Sequence, residues 1–375
     1  MAVTIGLDAR SIYAKSRRGT GKNLLDAYRV MARIRPEWRF ALYHRGLVGS
    51  DPFAEYGNVS NRAIDMPGDR WDLWEHLRLP AAVIHDGVDL LHCPANSCPR
   101  FRATRVVSTV HDLIPLKLSD PTMNGEAERF LRSVRRCLAR SERVMAVSES
   151  TKQDLIVDLG GDPDRIDVIA WAADSGCAPV RDEAELSRIR SRYNITGRYM
   201  LAFSGRTRRK NAEGMIRGFA RLPAELRSEV QFVLVGVEPI EQRAGLTELI
   251  GELGIAQDCA VFGFAPEEDI APLLSGADAL AFCSLYEGFG LPILDAFRCE
   301  TAVLTSKVSS MPEVAGDAAV YCDPSDCRSI AEGMTRLLRD ADLSALLVRR
   351  GRERAQRFTW EGTAESICRI FERCL

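Results

Sequence analysis

Short runs of β-branched and aliphatic residues alternate with longer segments of helical period along most of this chain. In a parallel sheet each strand is followed by a crossover helix, so this alternation is typical of sheets covered by helices on both faces. The predicted strands are Thr4–Leu7, Arg39–Tyr43, Val88–His92, Val106–Val110, Val144–Val147, Arg165–Ile169, Tyr199–Ser204, Gln231–Val235, Ala260–Phe262, Ala279–Cys283 and Ala302–Thr305. Because both halves show the pattern, it predicts an α/β protein with two Rossmann-like domains.

The length of the chain agrees with two domains, because 375 residues exceed the size at which one hydrophobic core usually stops growing. The segment 171–199 is rich in charge, Ala, Asp, Gly and Pro, with one helix-like piece at Glu183–Tyr193, so we place the linker near residues 171–180. We therefore predict a first domain over residues 1–172 and a second over residues 173–357. Beyond Asp326 the sequence predicts helices and no strand.

The bulk composition limits the class of protein. Apolar residues make up 46% and charged residues 27%, and no run approaches the roughly eighteen apolar residues of a membrane span. The segment Met1–Leu7 lacks the features of a secretory signal and leads into the first predicted strand, so we expect a cytoplasmic protein. A net charge of -2 gives no reason to expect nucleic acid binding.

The eleven cysteines are scattered singly, without a C-x-x-C pair and without a Cys/His grouping at zinc-ligand spacing. Several of them, such as Cys137, Cys259 and Cys283, fall in apolar strand or helix patterns. Cysteine is among the residues most often buried, so we expect buried, reduced thiols.

The predicted helix Glu126–Glu142 combines an apolar stripe with many arginines. Those arginines are Arg129, Arg132, Arg135, Arg136 and Arg140. Two interpretations stay open. The first is the solvated face of a packed helix, and the second is attraction to anionic lipid headgroups, as in peripheral membrane contact, or to an acceptor phosphate.

A glycine-containing loop lies between two carboxylates, Glu287 and Asp295, which enclose seven residues. It follows a strand-like run, and a proline after it suits the first position of a helix. Gly288 and Gly290 therefore lie just before a helix N-terminus, where unpaired N–H groups and the helix dipole attract anions. The loop suits a diphosphate, although an ordinary strand-to-helix turn with a solvated glutamate is the alternative.

A second loop, from Gly205 to Lys210, clusters cations between a strand and a helix. A leaving nucleoside diphosphate gains negative charge as its glycosidic bond breaks, so fixed cations there would stabilise the transition state more than the ground state. Arg206 and Lys210 are the candidates for that role, Arg209 accompanies them, and we expect Arg208 to be solvated. A plain solvent-facing loop is the alternative.

His111 stands at the carboxyl end of the predicted strand Val106–Val110, where open α/β sheets place their ligands. A lone histidine is usually structural, so the strand-end position is the reason for considering a functional role. Asp112 could orient the imidazole or cap the following segment.

Another loop follows the first strand and ends with Gly19, Thr20 and Gly21 before a predicted helix. A dinucleotide fingerprint is a poor explanation, because the third glycine is missing and the strand lies too far from the glycines.

These segments resemble the retaining glycosyltransferases of family four, which have the GT-B fold. The resemblance is carried by Ser284–Asp295, by Ser309–Ala319 and by the loop Gly205–Lys210, which matches the family's Gly-Arg start and Arg-Lys end but is shorter and lacks a proline. Two positions depart from the family pattern. Asp295 stands where relatives have Glu, and Glu300 stands where they usually carry Gly.

The resemblance covers nearly the whole chain. It implies two Rossmann-like domains that face each other across a cleft, the first binding the acceptor and the second the nucleotide sugar. It also implies that the last helix, within residues 358–375, packs back on the first domain.

The resemblance also implies roles for individual residues. His111, Glu287, Arg206 and Lys210 are the implied catalytic residues, with Glu287 on the hydroxyls of the donor sugar. The remaining donor-binding residues would be Gly205, Arg209, Gly288, Phe289, Gly290, Leu291 and Asp295, with Asp295 on the ribose. Gly19, Thr20 and Gly21 would face the cleft.

A metal site of the GT-A type would need an Asp-x-Asp pair just after a strand. The two such pairs in this sequence, Asp162 with Asp164 and Asp340 with Asp342, fall in turn or helix contexts. We therefore expect no metal and no cofactor besides the donor substrate.

The sequence thus predicts retaining, metal-independent transfer of a hexose from a nucleotide sugar to a glycan or lipid-linked acceptor. The matching segments look most like mannosyltransferases of bacterial surface polysaccharides, so GDP-mannose is the first candidate donor and a UDP-sugar the second. An epimerase of the same fold lacks matching motifs here. A catalytically silent nucleotide-sugar-binding subunit, with Asp295 and Glu300 as signs of decay, is the alternative from another class.

Overall fold

The computed structural model describes residues 2–14, 19–46, 50–65, 71–118, 125–205, 207–238 and 240–375. The chain divides into two compact units. The first contains Met1–Ala172 together with Thr359–Leu375, and the second contains Ala173–Phe358.

The first unit is built on a seven-stranded sheet in which all neighbouring strands are parallel. Its strands are β1 (Thr4–Asp8), β2 (Arg39–His44), β3 (Val59–Ala63), β4 (Leu90–Cys93), β5 (Arg105–Val110), β6 (Arg143–Ala146) and β7 (Ile166–Val168). They lie in the order β3-β2-β1-β4-β5-β6-β7. Central strands of such a sheet are covered on both faces, which is why all four residues of β4 are buried.

Helices of the first unit connect these strands. They are α1 (Gly19–Ile34), α2 (Trp71–Leu73), α3 (Leu79–His85), α4 (Ile114–Lys117), α5 (Glu126–Arg140) and α6 (Glu149–Leu159), with a π-helical turn at Trp74–Arg78 and a 3₁₀ turn at Pro163–Arg165. The last helix of the chain belongs to this unit, and its Phe371 packs with the rings of Trp38 and His92.

The second unit is built on a six-stranded parallel sheet. Its strands are β8 (Arg198–Phe203), β9 (Val230–Val235), β10 (Cys259–Val261), β11 (Ala279–Phe282), β12 (Ala302–Ser306) and β13 (Val320–Cys322). They lie in the order β10-β9-β8-β11-β12-β13, which is that of a dinucleotide-binding fold. The strand order therefore reverses once in each sheet. The reversal lies between β1 and β4 in the first sheet and between β8 and β11 in the second.

Helices of the second unit cover its sheet. They are α7 (Glu183–Arg192), α8 (Ala212–Phe219), α9 (Ala224–Arg227), α10 (Ile240–Glu252), α11 (Glu267–Ser275), α12 (Leu291–Arg298), α13 (Met311–Ala315), α14 (Cys327–Arg339) and α15 (Ala341–Ala355), with a 3₁₀ turn at Arg208–Lys210. The chain ends with α16 (Trp360–Glu372), which packs on α1 in the first unit.

The prediction of two Rossmann-like domains is confirmed, and each of the eleven predicted strands overlaps an observed one. Two strands were missed. β3 is an edge strand with the polar sequence VSNRA and no fully buried residue, and β13 has only three residues. β3 lacks the hydrophobic pattern on which the prediction depends, whereas β13 is apolar but too short for its pattern to distinguish a strand from a buried helical segment.

Ten of the eleven cysteines are buried and Cys327 is partly exposed, and all eleven are free thiols, as predicted. Over the part of the chain that the structure describes, no helix is both long and apolar enough to cross a membrane.

Candidate active site

The loops that leave β8 and β11 meet where the second sheet reverses its strand order. The two strands pair directly, so their outgoing loops lie side by side. The N–H of Leu285 donates to the carbonyl oxygen of Arg209 over 2.7 Å. The side chain of Asn211, whose φ is 58°, donates to the carbonyl oxygen of Cys283 over 2.9 Å. These bonds fix the basic loop against the glycine-containing loop at the place where α/β sheets bind ligands.

Glu287 contacts two of the cations that the sequence predicts for phosphate binding. Lys210 Nζ lies 2.7 Å from Glu287 Oε1. Arg209 forms an ion pair with Glu287 Oε2, but the geometry of its Nη1 is not that of a hydrogen bond. Ser284 Oγ donates to Glu287 Oε1 over 2.8 Å. The side chains of Glu287 and Lys210 are 9% and 16% exposed. Two cations and one carboxylate leave a net positive charge, which suits an anionic ligand.

The pKa values at this site follow from burial and pairing. Burial would raise the pKa of Glu287, but the charges of Lys210 and Arg209 outweigh it and hold that pKa below its usual range. Burial lowers the pKa of Lys210, the carboxylate of Glu287 opposes that effect, and the charge of Arg209 adds to it. The Lys210 ammonium also lies 4.6 Å from the centroid of the Phe282 ring, in a cation–π contact.

The glycine-containing loop turns into α12 through Gly290, whose φ is 114°. That backbone conformation favours glycine over any residue with a Cβ. Gly288 and Gly290 precede the helix as the sequence predicts, and Leu291 is its first residue. Phe289 is buried and packs edge-on against Phe358, with ring centroids 6.1 Å apart. The loop is therefore anchored by an aromatic contact while its amides lead into the helix N-terminus.

Two serines without a predicted role hold this loop. Ser309 Oγ accepts a hydrogen bond from the N–H of Glu287 over 3.0 Å and donates to the carbonyl oxygen of the same residue over 2.7 Å. Ser310 Oγ donates to the carbonyl oxygen of Phe289 over 2.6 Å. The sequence shows these two hydroxyl residues shortly after a predicted strand, but it does not show which loop they bind.

The two departures from the family pattern have different surroundings. Asp295 Oδ1 accepts the N–H of Asp174 over 2.9 Å, so its role on the ribose stays a prediction. Glu300 has a φ of 59°, which explains why glycine suits this position in relatives. Its carboxylate pairs with Arg181 at 2.6 Å and with Arg352 at 3.6 Å. Both arginines are largely exposed, so these ion pairs contribute little to stability.

In the first unit, His111 follows β5 as predicted. Its Nε2 lies 2.7 Å from the carbonyl oxygen of Pro94, and its N–H donates to Asn96 Oδ1 over 2.7 Å. Its ring stacks on Trp171 with centroids 6.2 Å apart. Burial lowers the pKa of His111, so the neutral ring donates through Nε2 and Nδ1 is left as a hydrogen-bond acceptor. Asp112 caps the first turn of α4, and the contact of His111 with substrate stays a prediction.

The remaining predicted residues are placed as follows. Gly19, Thr20 and Gly21 form the first turn of α1, so the helix begins earlier than the sequence analysis expected. Arg206 and residues 15–18 lie outside the described residues. Gly205 leads into the 3₁₀ turn, and Arg208 is exposed as expected.

The two Asp-x-Asp pairs act as helix caps. Asp162 Oδ1 accepts the N–H of Asp164 over 3.0 Å, and Asp340 Oδ1 accepts the N–H of Leu343 over 2.8 Å. Within the described ranges, no group of three or more His, Cys, Asp or Glu side chains is placed to hold a metal ion.

The arginine-rich helix α5 packs through its apolar stripe. Val134 and Cys137 are buried, and Phe130 packs against the core cluster that contains Val134. Arg129 and Arg132 are exposed. This arrangement is that of a packed helix with a solvated face, and attraction to an anionic surface stays a prediction.

Two protein families match this chain. Glycosyl transferases group 1 matches residues 187–354, and glycosyltransferase family 4 matches residues 37–175. The first match falls in the second unit, and the second match falls in the first unit except for its last three residues.

Several relatives of this chain are mannosyltransferases. The chain is 29% identical over 295 residues to O-antigen chain mannosyltransferase B of Escherichia coli, covering 78% of this chain and 77% of that protein. It is 30% identical over 294 residues to the serotype-specific mannosyltransferase WbdA of Escherichia coli, covering 75% of this chain. The chain matches only 34% of the length of WbdA.

Solved structures with low sequence identity share the fold. The sucrose-phosphate synthase of Thermosynechococcus elongatus has a TM-score of 0.78 at 20% identity, with 99% of this chain and 98% of that chain covered. The Anabaena protein HepE in complex with UDP and glucose has a TM-score of 0.74 at 20% identity, with 100% of both chains covered.

Proposed function

The chain belongs to family 4 of the glycosyltransferases, with the GT-B fold of two Rossmann-like domains, and on that basis we propose that it transfers mannose from GDP-mannose with retention of configuration. Its mannosyltransferase relatives support glycosyl transfer in polysaccharide biosynthesis. The observation that carries the proposal is the set of Glu287, Arg209 and Lys210, ion-paired at the point where the second sheet reverses its strand order.

The first step of the proposal is the binding of the donor diphosphate. Arg209 and Lys210 face it with fixed positive charge, and the N–H groups of the turn into α12 add hydrogen-bond donors. As the glycosidic C–O bond breaks, negative charge builds on the leaving diphosphate. The same cations then bind it more strongly, which lowers the barrier. Arg206 is proposed to join them.

The second step concerns the sugar. Glu287 positions the hydroxyls of the donor sugar, and Asp295 the ribose. Departure of the diphosphate gives a short-lived oxocarbenium-like ion pair, and the acceptor hydroxyl attacks the face from which the diphosphate leaves. A leaving-group oxygen takes the proton of that hydroxyl. Nδ1 of His111, an acceptor in the neutral ring, contacts the donor sugar or the acceptor.

The proposal needs no divalent ion, because side-chain cations and backbone amides neutralise the diphosphate. Independence of a divalent ion follows from the charges of the residues that are proposed to bind the diphosphate. A dependence of turnover on added manganese or magnesium would count against it.

The donor is assigned by similarity. GDP-mannose is the first candidate because several relatives of this chain are mannosyltransferases, and a UDP-sugar is the second because HepE was crystallised with UDP and glucose. The proposed acceptor is a glycan or a lipid-linked glycan, as expected of polysaccharide biosynthesis. The exposed arginines of α5 are proposed to draw the protein to the anionic surface that would carry a lipid-linked acceptor.

The proposal can be tested with purified protein and a panel of GDP- and UDP-sugars. Calorimetric titration measures donor binding, and release of the nucleoside diphosphate in the presence of mannose-terminated oligosaccharides measures transfer. We expect release from GDP-mannose, unchanged by EDTA, and a product whose new bond has the anomeric configuration of the donor by NMR. An inverted product, or release that is abolished by EDTA, would refute the mechanism.

A further inference from the structure

Ser309 adopts a backbone conformation that is costly for a serine. Its φ is 51°, in the left-handed region that glycine occupies without strain. It lies in the turn between β12 and α13. A strained residue of this kind persists when its surroundings compensate it, and such residues cluster at functional sites.

The compensation comes from its hydroxyl. Ser309 Oγ accepts the N–H of Glu287 at 3.0 Å and the N–H of Ser310 at 2.6 Å, and it donates to the carbonyl oxygen of Glu287 at 2.7 Å. One hydroxyl thus binds both peptide groups that flank the Cα of Glu287. Ser310 Oγ, whose hydroxyl donates to the carbonyl oxygen of Phe289, also lies 3.0 Å from the carbonyl oxygen of Glu287. The main chain of Glu287 is therefore held from a segment 22 residues further along the chain.

The side chain of Glu287 depends on this anchor for its direction. Its carboxylate contacts Lys210, Arg209 and Ser284, which belong to the two loops of the active site. If the peptide groups on either side of Glu287 could rotate, its carboxylate and the next amides of the loop would both move. Misplacement of reacting groups by about 1 Å can cost about a hundredfold in rate.

We propose that Ser309 is a positioning residue for glycosyl transfer, whose hydroxyl fixes the main chain of Glu287 and thereby aims its carboxylate and the amides that follow. The proposal deepens the function proposed above and rests on it. It also explains why a serine stands where glycine would be less strained, since glycine has no hydroxyl to bind the two peptide groups.

Two variants separate the hydroxyl from the strain. Ser309→Gly removes both the hydroxyl and the left-handed strain, and Ser309→Ala removes the hydroxyl but keeps the strain. We expect the glycine variant to unfold at a temperature equal to or above that of the alanine variant. We expect both to lose kcat by about ten- to a hundredfold, with a smaller change in the donor KM. If Ser309 only stabilised the fold, the loss of kcat in the two variants would follow their loss of thermal stability instead.

Hydrogen exchange tests the anchor without any assay of activity. In both variants we expect the amides of residues 284–291 to exchange at least about tenfold faster than in the wild type. Asn194→Gly is the matched control, because Asn194 has a φ of 50° and is exposed at the end of α7. It places glycine at another left-handed position, outside the loop, and should leave the exchange of the loop and kcat unchanged.

A double variant tests whether Ser309 acts through Glu287. Ser309→Gly combined with Glu287→Gln should lose less activity than the product of the two single losses. The proposal would be overturned if the two single losses of activity multiplied in the double variant. It would also be overturned if Ser309→Gly kept the wild-type kcat, or if exchange in the loop were unchanged. If the wild type transfers no sugar from any donor tested, the proposed function fails, whereas loop exchange still decides whether the hydroxyl holds Glu287.

Discussion

Loss of the charge of Lys210 should weaken donor binding and turnover together. Lys210→Met keeps most of the side-chain volume and removes the ammonium that lies 2.7 Å from Glu287 Oε1. A hydrogen bond to a charged group contributes about 1.5–3 kcal/mol. If Lys210 gives one such bond to the diphosphate, its loss should weaken GDP binding by about ten- to a hundredfold. Because charge grows on the diphosphate during the reaction, kcat should fall as well.

The same variant should change stability only modestly. The side chains of Lys210 and Glu287 are 16% and 9% exposed, so the pair lies between a surface pair, at about 0–1 kcal/mol, and a buried pair, whose breaking costs about 3–5 kcal/mol. Glu287 keeps its contacts with Arg209 and Ser284. We therefore expect a loss of about 1–2 kcal/mol in the free energy of unfolding, measured by urea denaturation.

Calorimetric titration with GDP and an initial-rate assay are the measurements, and Lys307→Met is the matched control. Lys307 pairs with Asp323 at 3.4 Å in the same unit, but its side chain is 60% exposed, so its loss should change neither quantity. If Lys210→Met binds GDP and turns over like the wild type, Lys210 does not contact the diphosphate and the phosphate site lies elsewhere.

Three further predictions concern other parts of the chain. His111→Ala should abolish transfer while GDP-mannose binding by calorimetry is largely kept, because His111 belongs to the first unit and the diphosphate cations to the second; equal loss of both would place His111 on the nucleotide. Burial lowers the pKa of His92 to about 3, so below its ordinary value of 6.5 only the unfolded chain gains the proton, and stability should fall by about 2 kcal/mol between pH 7 and pH 5. His92→Gln should reduce that dependence in urea titrations, and an unchanged slope would contradict the assignment. Gly351→Ala should destabilise the protein by about 2 kcal/mol, because its Cβ would lie 2.4 Å from Cδ1 of the buried ring of Phe297; wild-type stability would show that α15 can shift away from α12.

The sequence predicted the sheets well because central parallel strands are covered on both faces and so read as apolar runs. β11, with all four residues buried, is an example. It could not predict β3, whose pairing with β2 is decided by a neighbour and not by its own polar residues. Strand formation at the edge of a sheet depends on the partner that supplies the hydrogen bonds.

The two loops of the candidate active site could be singled out from the sequence, since glycines, cations and carboxylates at strand ends are chemically distinctive. The contacts that these loops make could not be predicted from the sequence. Arg209 and Lys210 lie more than seventy residues from Glu287 along the chain, and only the pairing of β8 with β11 brings them together. A sequence gives the charge of each residue but not which opposite charge it meets.

The sequence by itself determined the alternation of strands and helices and the chemical character of the two loops, because both depend on the order of residue types over short stretches. The tertiary structure alone decided that Ser309 takes a left-handed backbone, that its hydroxyl holds Glu287, and that Glu300 meets Arg181 and Arg352. Each of these depends on contacts between distant segments. Such contacts exist only when the whole domain has folded, and they can stabilise local conformations that the residues themselves disfavour.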